Sequence, residues 1–322
     1  MRLARRIAER IGLAAVVCTA VAALTFVLLT LSSGDAAARL DDPRIPDSAR
    51  AAIREQLDLN APVPERLARY VARLAGGDLG WSVARGEPVR TAIARSLGPS
   101  LLLGLTGATL GVLLAVLVGT WQASVAGSTG DRWLTRTSAV LGAVPDFWLA
   151  LLGLAVVAQG LHAAPTGGWR DVAASRHGPA AWLDVARHLV LPASIVALIV
   201  YARVVRYQRA AVRTALMAPF TSAARARGLS ATRVLWRHAV PSAAAPVIAL
   251  TGLLVPGVIA GLVFVERVFS WPGVGRLLLD AVAARDVPLT SGIALLTSLA
   301  VVSGSLVSDL LHAVIDPRVR DA

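Results

Sequence analysis

Lysine is missing from the chain, so all 32 of the residues counted as lysine or arginine are arginines. This absence excludes two kinds of active site. A P-loop requires a lysine that reaches the nucleotide phosphates, and Schiff-base catalysis requires a lysine amine. We therefore expect that this chain neither hydrolyses a nucleotide with a P-loop nor forms a Schiff base.

Cysteine is almost missing too, since Cys18 is the only one. A disulfide within the chain and a cysteine-based metal cluster are thereby excluded. The histidines show no paired or HExxH spacing, which leaves a metal site with little support: His162, His177, His188, His238 and His312. The sequence therefore predicts no catalytic residue, no metal site and no cofactor bound by this chain.

Charged residues are scarce: they make up 16% of the 322 residues, against 56% hydrophobic residues. About a quarter of a soluble domain is charged, so the composition indicates a membrane protein. Runs of roughly 20 apolar residues match the thickness of a bilayer. Six such runs predict an all-α membrane protein with six transmembrane helices: 11–31, 97–121, 136–161, 184–204, 245–265 and 289–314.

The first apolar run has two interpretations. Four arginines precede it, as in the basic start of a signal peptide. Its length, however, exceeds the roughly 7–15 apolar residues of a signal peptide and matches a membrane span. We predict an uncleaved first span within residues 1–32, with the N-terminus in the cytoplasm.

Residues 33–96 differ from the rest because acids, arginines and prolines are frequent there. Ten arginines are balanced by nine acids, so the segment is nearly neutral. Segments 51–57 and 65–74 have helical spacing and good helix formers. We predict a small extracytoplasmic module of about two helices after the first transmembrane helix.

Pro145 interrupts the third apolar run, in the sequence Val144-Pro145-Asp146-Phe147-Trp148. A proline within a span predicts a kink, because it removes a backbone hydrogen bond of the helix. Small residues are frequent in all the runs, as is usual where helices pack closely in lipid.

Arginine bias determines the predicted orientation. The segment of about 202–244 contains eight arginines and no acidic residue, whereas acids offset the arginines near 162–187 and 266–288. Cytoplasmic loops carry the excess of basic residues. We therefore place 202–244 in the cytoplasm, together with both termini, including the tail 315–322.

Residues 222–241 form two short helical segments separated by Gly228. Gly228 predicts a left-handed residue after the first helix, with Leu229 as the apolar residue that follows it. Ser230 is suited to cap the second helix, and we expect that helix to stop at or before Pro241.

A basic helix-turn-helix is typical of DNA-binding proteins. Residues 222–241, however, are tethered by membrane spans and have too few apolar residues for a core of their own. Attraction of the arginines to anionic lipid is a second interpretation, but it leaves the apolar residues and the tight turn unexplained. Docking of a partner protein accounts for both.

The same segment resembles the EAA loop of ABC-importer permeases, whose two short helices couple the permease to an ATP-hydrolysing subunit. The match consists of Ala223-Ala224-x-x-x-Gly228 and a Leu-Pro-like end at Val240-Pro241, with Ser222 at the position of the usual glutamate. The stretch 224–230 is similar to that of dipeptide and oligopeptide permeases. The resemblance implies that the ATPase contacts the coupling loop 205–244 at Ser222, Ala223, Ala224, Arg225, Arg227, Gly228, Leu229, Val240 and Pro241.

Further motifs match the same family in its order along the chain. They lie at 31–37, 55–59, 77–82, 145–148, 265–278 and 316–318. Together they make the chain similar to the dipeptide, oligopeptide and nickel permeases of type I ABC importers. The resemblance implies a MetI-like permease core at 97–314.

This resemblance implies a function and a set of partners. The chain would be an inner-membrane permease subunit that moves di- or oligopeptides and is not an enzyme. One or two ATPase subunits would bind ATP and Mg²⁺, and a second permease subunit would complete the translocation route. An extracytoplasmic binding protein would deliver the peptide. Membrane lipid would surround the chain, and no nucleic acid is implied.

The outer loop before the last span contains a second candidate site. Pro272-Gly273-x-Gly275 is turn chemistry, flanked by bulky Phe269 and Trp271. The loop would form a gate, a contact for the binding protein, or only a structural turn. Asp309, near the inner end of the last span, is expected to reach water at the interface.

Other functions remain open at this point. A nickel permease shares the family's pattern, and the scattered histidines weigh against it only slightly. An ATP-independent channel or secondary transporter would need ion-coupling residues within the membrane, and the spans show no deep cluster of charges. A membrane hydrolase would need a Ser/His/Asp spacing that the sequence does not show.

Overall fold

The computed structural model describes residues 12, 16–17, 19–24, 26–27, 61–82, 84–171 and 178–315. For residues 75, 245–246, 249–256 and 308–315 the description covers the backbone alone. Several predictions lie outside the described residues: the helix at 51–57, nearly all of the tail 315–322, the motifs at 31–37, 55–59 and 316–318, Cys18, His177, and the side chains of Asp309 and His312.

The described part of the chain is almost entirely helical, as predicted. Its elements are α1 (Val63–Ala75), β1 (Trp81–Ser82), β2 (Glu87–Pro88), α2 (Val89–Ser124), α3 (Thr129–Ala143), α4 (Asp146–Gly153), the π-helical turn π1 (Leu154–Gly160), α5 (Pro179–Met217), α6 (Pro219–Ala226), α7 (Ala231–Val234), the π-helical turn π2 (Leu235–Ala239), α8 (Val240–Val268), α9 (Val274–Ala283) and α10 (Val287–Ile315). The chain divides into two compact units: Met1–Leu97 with Leu277–Val302, and Gly98–Arg276 with Ser303–Ala322.

The first unit contains residues 61–82 and 84–96 of the predicted extracytoplasmic module, which we call the outer module. Helix α1 has Pro64 in its first turn, where the missing N–H would have no partner in any case. The helix is followed by Gly77, whose φ of 79° is left-handed. Tyr70 stacks on Phe26 with ring centroids 5.3 Å apart, and burial raises the pKa of the Tyr70 hydroxyl. The helix predicted at 65–74 is therefore confirmed.

The outer module also contains a short antiparallel hairpin, β1–β2, which the sequence did not indicate. The buried Ser82 hydroxyl donates to a carboxylate oxygen of Asp286 over 2.6 Å. Asp286 also accepts the N–H groups of Ala84 and Leu289, at 3.0 and 3.1 Å. One carboxylate thus ties the hairpin to the first turn of α10.

Helix α5 is the main contributor to the core of the second unit. It supplies more core residues than any other helix, among them Ile195, Ile199 and Val204. Helices α3, α4 and α8 pack against it. Helix α2 also approaches closely, because a Cβ atom at Gly111 would lie only 2.6 Å from the carbonyl oxygen of Ala197. Small residues therefore bring these helices together, as the sequence indicated.

The third predicted span is broken at its proline. Helix α3 and the stretch Asp146–Gly160, which comprises α4 and π1, are bent by 103° relative to each other. Between them Val144 is extended, with φ −75° and ψ 130°, because a proline disfavours helical backbone in the residue before it. The interruption at Pro145 is confirmed, but the run 136–161 forms two helices of different direction where one kinked helix was predicted.

Three helices are long and apolar enough to cross a membrane among the residues described with side chains. They are Val89–Ser124, Pro179–Met217 and Val287–Val307, and the bent pair α3–α4 with π1 is a fourth if it counts as one span. These helices coincide with four of the six predicted runs. The fifth run, 245–265, lies within α8. The first run is described only in part, as helical residues between 16 and 27.

The prediction that the second helix of 222–241 stops by Pro241 is wrong. The backbone continues from α7 through π2 into α8, which has Pro241 in its first turn. Proline lacks an N–H and crowds the turn before it. The wider π-helical turn directly before Pro241 absorbs this irregularity, so the helix does not end.

Candidate functional site

The coupling loop begins where α5 ends. The extended backbone of Ala218 turns the chain between α5 and α6. The hydroxyl of the fully buried Thr221 lies 2.7 to 3.1 Å from the carbonyl oxygens of Ala215, Leu216 and Ala218. The hydroxyl is thereby a hydrogen-bond donor for carbonyl groups that the end of α5 leaves without a partner within the helix. Helix α6 is thus joined to α5 by hydrogen bonds as well as by the chain.

Gly228 forms the turn between the two short helices, as predicted. Its φ is 82°, and its N–H bonds to the carbonyl of Arg225 over 2.9 Å. The N–H of Leu229 reaches the carbonyl of Ala224 over 3.3 Å, which completes a Schellman motif. Ser230 then caps α7, because its hydroxyl accepts the N–H three residues ahead over 3.4 Å. The local geometry predicted for this turn is confirmed.

The predicted contact residues divide between the base and the surface of the coupling loop. Ala224 is fully buried, while Leu229 and Val240 are half-buried. The remaining ones are exposed: Ser222, Ala223, Arg225, Arg227, Gly228 and Pro241.

Three large apolar side chains are exposed on the same segment. Met217 is 68% exposed, Phe220 43% and Trp236 46%. We call these three, together with Arg225 and Arg227, the coupling surface. Met217 and Phe220 did not stand out in the sequence. The sequence feature that could have indicated them is Pro219, which lies between them. Proline favours the first turn of a helix, so it indicates that a new helix begins there and that the chain turns.

The aromatic side chains of the outer loop before α10 are buried. Phe269 and Trp271 are 1% and 0% exposed and belong to the core of the second unit. The indole N–H of Trp271 donates to the carbonyl of Pro99 over 2.9 Å. Its ring also meets Trp169 edge-on, with centroids 4.9 Å apart. These aromatic side chains hold the loop in place and present no surface to a partner.

Buried Glu266 organises the turn that follows. Its carboxylate accepts the Ser100 hydroxyl over 2.5 Å and the N–H groups of Gly275 and Arg276 over 2.7 and 3.1 Å. These N–H groups belong to the first turn of α9, where a negative charge is favourable. A Cβ atom at Gly273 would lie 2.1 Å from the carboxyl carbon of Glu266. The turn is therefore built around this carboxylate.

The glycines of the outer loop serve close packing in this structure. Gly273 is buried and Gly275 half-buried, while Pro272 is exposed. The degree of burial of each of these three residues is explained by a turn with a purely structural role. The role of the loop as a gate or as a contact for a binding protein stays a prediction.

Two ion pairs between helices were not indicated by the sequence. On α5, Arg203 Nη2 donates to both carboxylate oxygens of Asp146, at 3.0 and 2.7 Å. Arg209 binds the buried Asp131 through two parallel contacts, at 2.6 and 2.7 Å. The available signal was the acid next to Pro145, since a charge within a span requires a partner.

Residues 107–321 match the family of binding-protein-dependent transport system inner membrane components. The matched part includes the coupling loop, the outer loop and both ion pairs. The chain belongs to this family. It is therefore a permease component of an ABC transport system, located in the inner membrane, and it is not an enzyme.

Two relatives of this permease align over nearly its whole length. It is 33% identical over 298 residues to the oligopeptide transport system permease protein AppB of Bacillus subtilis, which covers 92% of this chain and 93% of that protein. It is 31% identical over 331 residues to the di/tripeptide transport system permease protein DppB of Pseudomonas aeruginosa, with 98% of both chains covered. The family resemblance that the motifs indicated is confirmed.

Proposed function

We propose that this permease subunit imports di- and oligopeptides across the cytoplasmic membrane. The observation that carries the proposal is the alignment with two proteins named as peptide permeases, over at least 92% of this chain. The coupling-loop stretch 224–230, of the kind found in dipeptide and oligopeptide permeases, supports the same substrate class.

The proposed topology has six spans with both termini in the cytoplasm. Helices α2, α3–π1, α5, α8 and α10 are five of the spans, and the run 11–31 is the first. The arginines of 202–244 support a cytoplasmic position for the coupling loop. The outer module and the outer loop then lie on the opposite side of the membrane.

A separate ATPase subunit docks on the coupling surface in this proposal. Exposed Phe220 and Trp236 supply apolar area, and Arg225 and Arg227 supply charge. Aromatic residues and arginine are enriched in protein interfaces, whereas anionic lipid would account for the arginines alone. ATP and Mg²⁺ bind to the partner, because this chain has no lysine for a P-loop.

Transport follows from a change between two arrangements of the spans. Closure of the paired ATPases displaces α6 and α7, and the spans respond by opening to one side of the membrane or to the other. A second permease subunit completes the route, and an extracytoplasmic binding protein delivers the peptide. This chain transmits motion and forms half of the path.

Reconstitution of the whole transporter in proteoliposomes tests the proposal. The vesicles contain this chain, the second permease subunit and the ATPase, and the binding protein is added with a labelled tripeptide. We expect peptide uptake only with ATP on the ATPase side. The matched control carries an ATPase whose P-loop lysine is replaced by alanine, and it should show no uptake.

Two results would contradict the proposal. Peptide uptake that persists with the inactive ATPase would indicate a channel or a secondary transporter. Uptake of ⁶³Ni²⁺ without uptake of any peptide would indicate a nickel permease.

A further inference from the structure

Helix α5 links the coupling loop to the bent pair α3–α4. It contains 39 residues, which corresponds to about 58 Å at 1.5 Å per residue. Its last turn is joined to α6 by the Thr221 hydroxyl described above and by Arg225, whose Nη2 donates to the carbonyl of Leu216 over 3.4 Å. A displacement of α6 is therefore a displacement of the end of α5.

The first link from α5 to the bent pair is the ion pair of Arg209 with Asp131. Asp131 lies in the first turn of α3 and is 1% exposed. Both of its oxygens are bound by the guanidinium, and Oδ2 also accepts the N–H of Gly127 over 2.9 Å. This two-point geometry fixes the direction as well as the distance of the contact.

The second link is the ion pair of Arg203 with Asp146. Asp146 is the first residue of α4, directly after the break in the span. Two glycines of α8 adjoin this pair: a Cβ atom at Gly257 would lie 2.9 Å from Arg203 Nη1, and one at Gly261 would lie 2.7 Å from Asp146 Oδ2. Helices α4, α5 and α8 thus meet at one pair of opposite charges.

The two links act on opposite ends of α3. Asp131 precedes most of that helix and Asp146 follows it, whereas their arginines lie only six residues apart on α5. A shift of α3 or α4 along α5 would have to break at least one ion pair. The Asp131 side chain is 2% exposed, and the other three charged side chains are 21% to 30% exposed. Breaking a pair would leave an acid with little access to water and without its partner, which is costly. The three helices are therefore expected to move as one body.

We infer that Arg203 and Arg209 are positioning residues that make the bent pair α3–α4 follow α5 when the coupling loop moves. This inference rests on the proposed docking of an ATPase at the coupling surface. The coupling surface receives the displacement, α5 conveys it, and the two ion pairs pass it on to the broken span. Without them, packing alone holds the bent pair against α5, and the bent pair follows α5 less closely.

The inference is tested in the complete transporter by separating ATP hydrolysis from uptake. We expect Arg209→Gln and Arg203→Gln to retain assembly with the ATPase and ATP hydrolysis stimulated by the binding protein. Peptide uptake per ATP should fall at least about tenfold, within the usual range of coupling between distant sites. Arg206→Gln is the matched control, since Arg206 lies on the same helix between the two and is exposed. It should behave as the wild type.

A distance measurement addresses the motion directly. Spin labels are placed on cysteines at Val140 of α3 and Tyr207 of α5, which are 64% and 50% exposed, in a Cys18→Ala background. In the wild type the distance should be the same in the nucleotide-free and ATP-bound transporter. In Arg209→Gln it should differ between the two states.

Further variants separate transmission from folding. If Arg209→Gln does not insert, the neutral double variant Asp131→Asn/Arg209→Gln avoids leaving one charge uncompensated and should still be uncoupled. Arg209→Lys keeps the charge but lacks the planar fork, and it should restore uptake in part.

Three results would overturn the inference. They are normal uptake per ATP in the neutral double variant, an unchanged label distance in Arg209→Gln, and a label distance that changes in the working wild type. Failure of the proposed function is recognised separately, because the wild-type transporter would then show no ATP-dependent peptide uptake at all.

Discussion

The carboxylate of Glu266 fills the space beside Gly273, so that a methyl group on Gly273 would lie 2.1 Å from the Glu266 carboxyl carbon and 2.2 Å from Oε1. This contact explains why a glycine stands at this point of the outer loop. The backbone passes directly over a buried carboxylate, and the same carboxylate binds the first turn of α9. The close approach at Gly273 and the hydrogen bonds to α9 therefore depend on the same carboxylate.

Gly273→Ala should destabilise the permease, because the added methyl group has no room. Overpacking of this kind costs roughly 1–3 kcal/mol. We expect a lower midpoint temperature of unfolding for the detergent-purified protein. Gly98→Ala is the control, since no atom lies within 4 Å of a Cβ atom at Gly98. Equal midpoints for the two variants would contradict the role assigned to Glu266.

Asp286→Ala should destabilise the outer module. The change removes one buried acceptor from Ser82, Ala84 and Leu289, and hydrogen bonds to a charged group contribute about 1.5–3 kcal/mol each. The measurement is limited proteolysis of the detergent-purified protein, in which the module should be cut faster.

The control for Asp286→Ala is a second acid of the same unit. Asp280 approaches Arg85 at 3.8 Å, with both side chains 38% exposed, and such surface pairs contribute about 0–1 kcal/mol. Asp280→Ala should therefore leave the proteolysis rate nearly unchanged. If Asp286→Ala is cut no faster than Asp280→Ala, the carboxylate does not hold the hairpin.

Gly111→Ala should weaken the packing of α2 on α5. A Cβ atom there would lie 2.6 Å from the Ala197 carbonyl oxygen and 2.7 Å from Val200 Cβ. We expect a loss of roughly 1–3 kcal/mol, seen as a lower midpoint of thermal unfolding in detergent. Gly142→Ala on α3 is the control, since its nearest atoms, in Ala202, lie 3.9 Å away. A tolerated Gly111→Ala would show that α2 can move away from α5 at little cost.

Local signals in the sequence predicted local geometry well. Gly228 and Ser230 specify a turn and a cap through contacts within a few residues, so their conformations follow from the residue types alone. The interruption at Pro145 is equally local, because a proline constrains the residue before it. The size of the bend there is not local, since it depends on which helices pack against each half.

Contacts between distant residues could not be predicted from one sequence. Asp146 and Arg203 are 57 residues apart. The sequence around either residue does not indicate that the other is its partner. The aromatic residues of the outer loop pose the same problem, because Trp271 bonds to Pro99 across 172 residues. The helix through Pro241 was mispredicted because the π-helical turn before it has no recognisable sequence pattern.

Gly228→Val should uncouple ATP hydrolysis from uptake while leaving the chain in the membrane. A β-branched residue resists the left-handed conformation that Gly228 adopts at φ 82°, at a cost of roughly 1–2 kcal/mol. The turn between α6 and α7 would then shift, and the coupling surface with it. The measurement is peptide uptake per ATP hydrolysed by the reconstituted transporter, which should fall strongly.

Gly77→Val separates the loss of coupling from backbone strain. Gly77 has a φ of 79° in a Schellman turn of the outer module, and neither glycine has an atom within 4 Å of its Cβ position. Both valine variants therefore suffer the same local strain, but only Gly228 lies in the coupling loop. Gly228→Asn should retain uptake, because asparagine tolerates the left-handed conformation. Normal uptake by Gly228→Val, or an equal loss in Gly77→Val, would contradict a specific role of this turn in coupling.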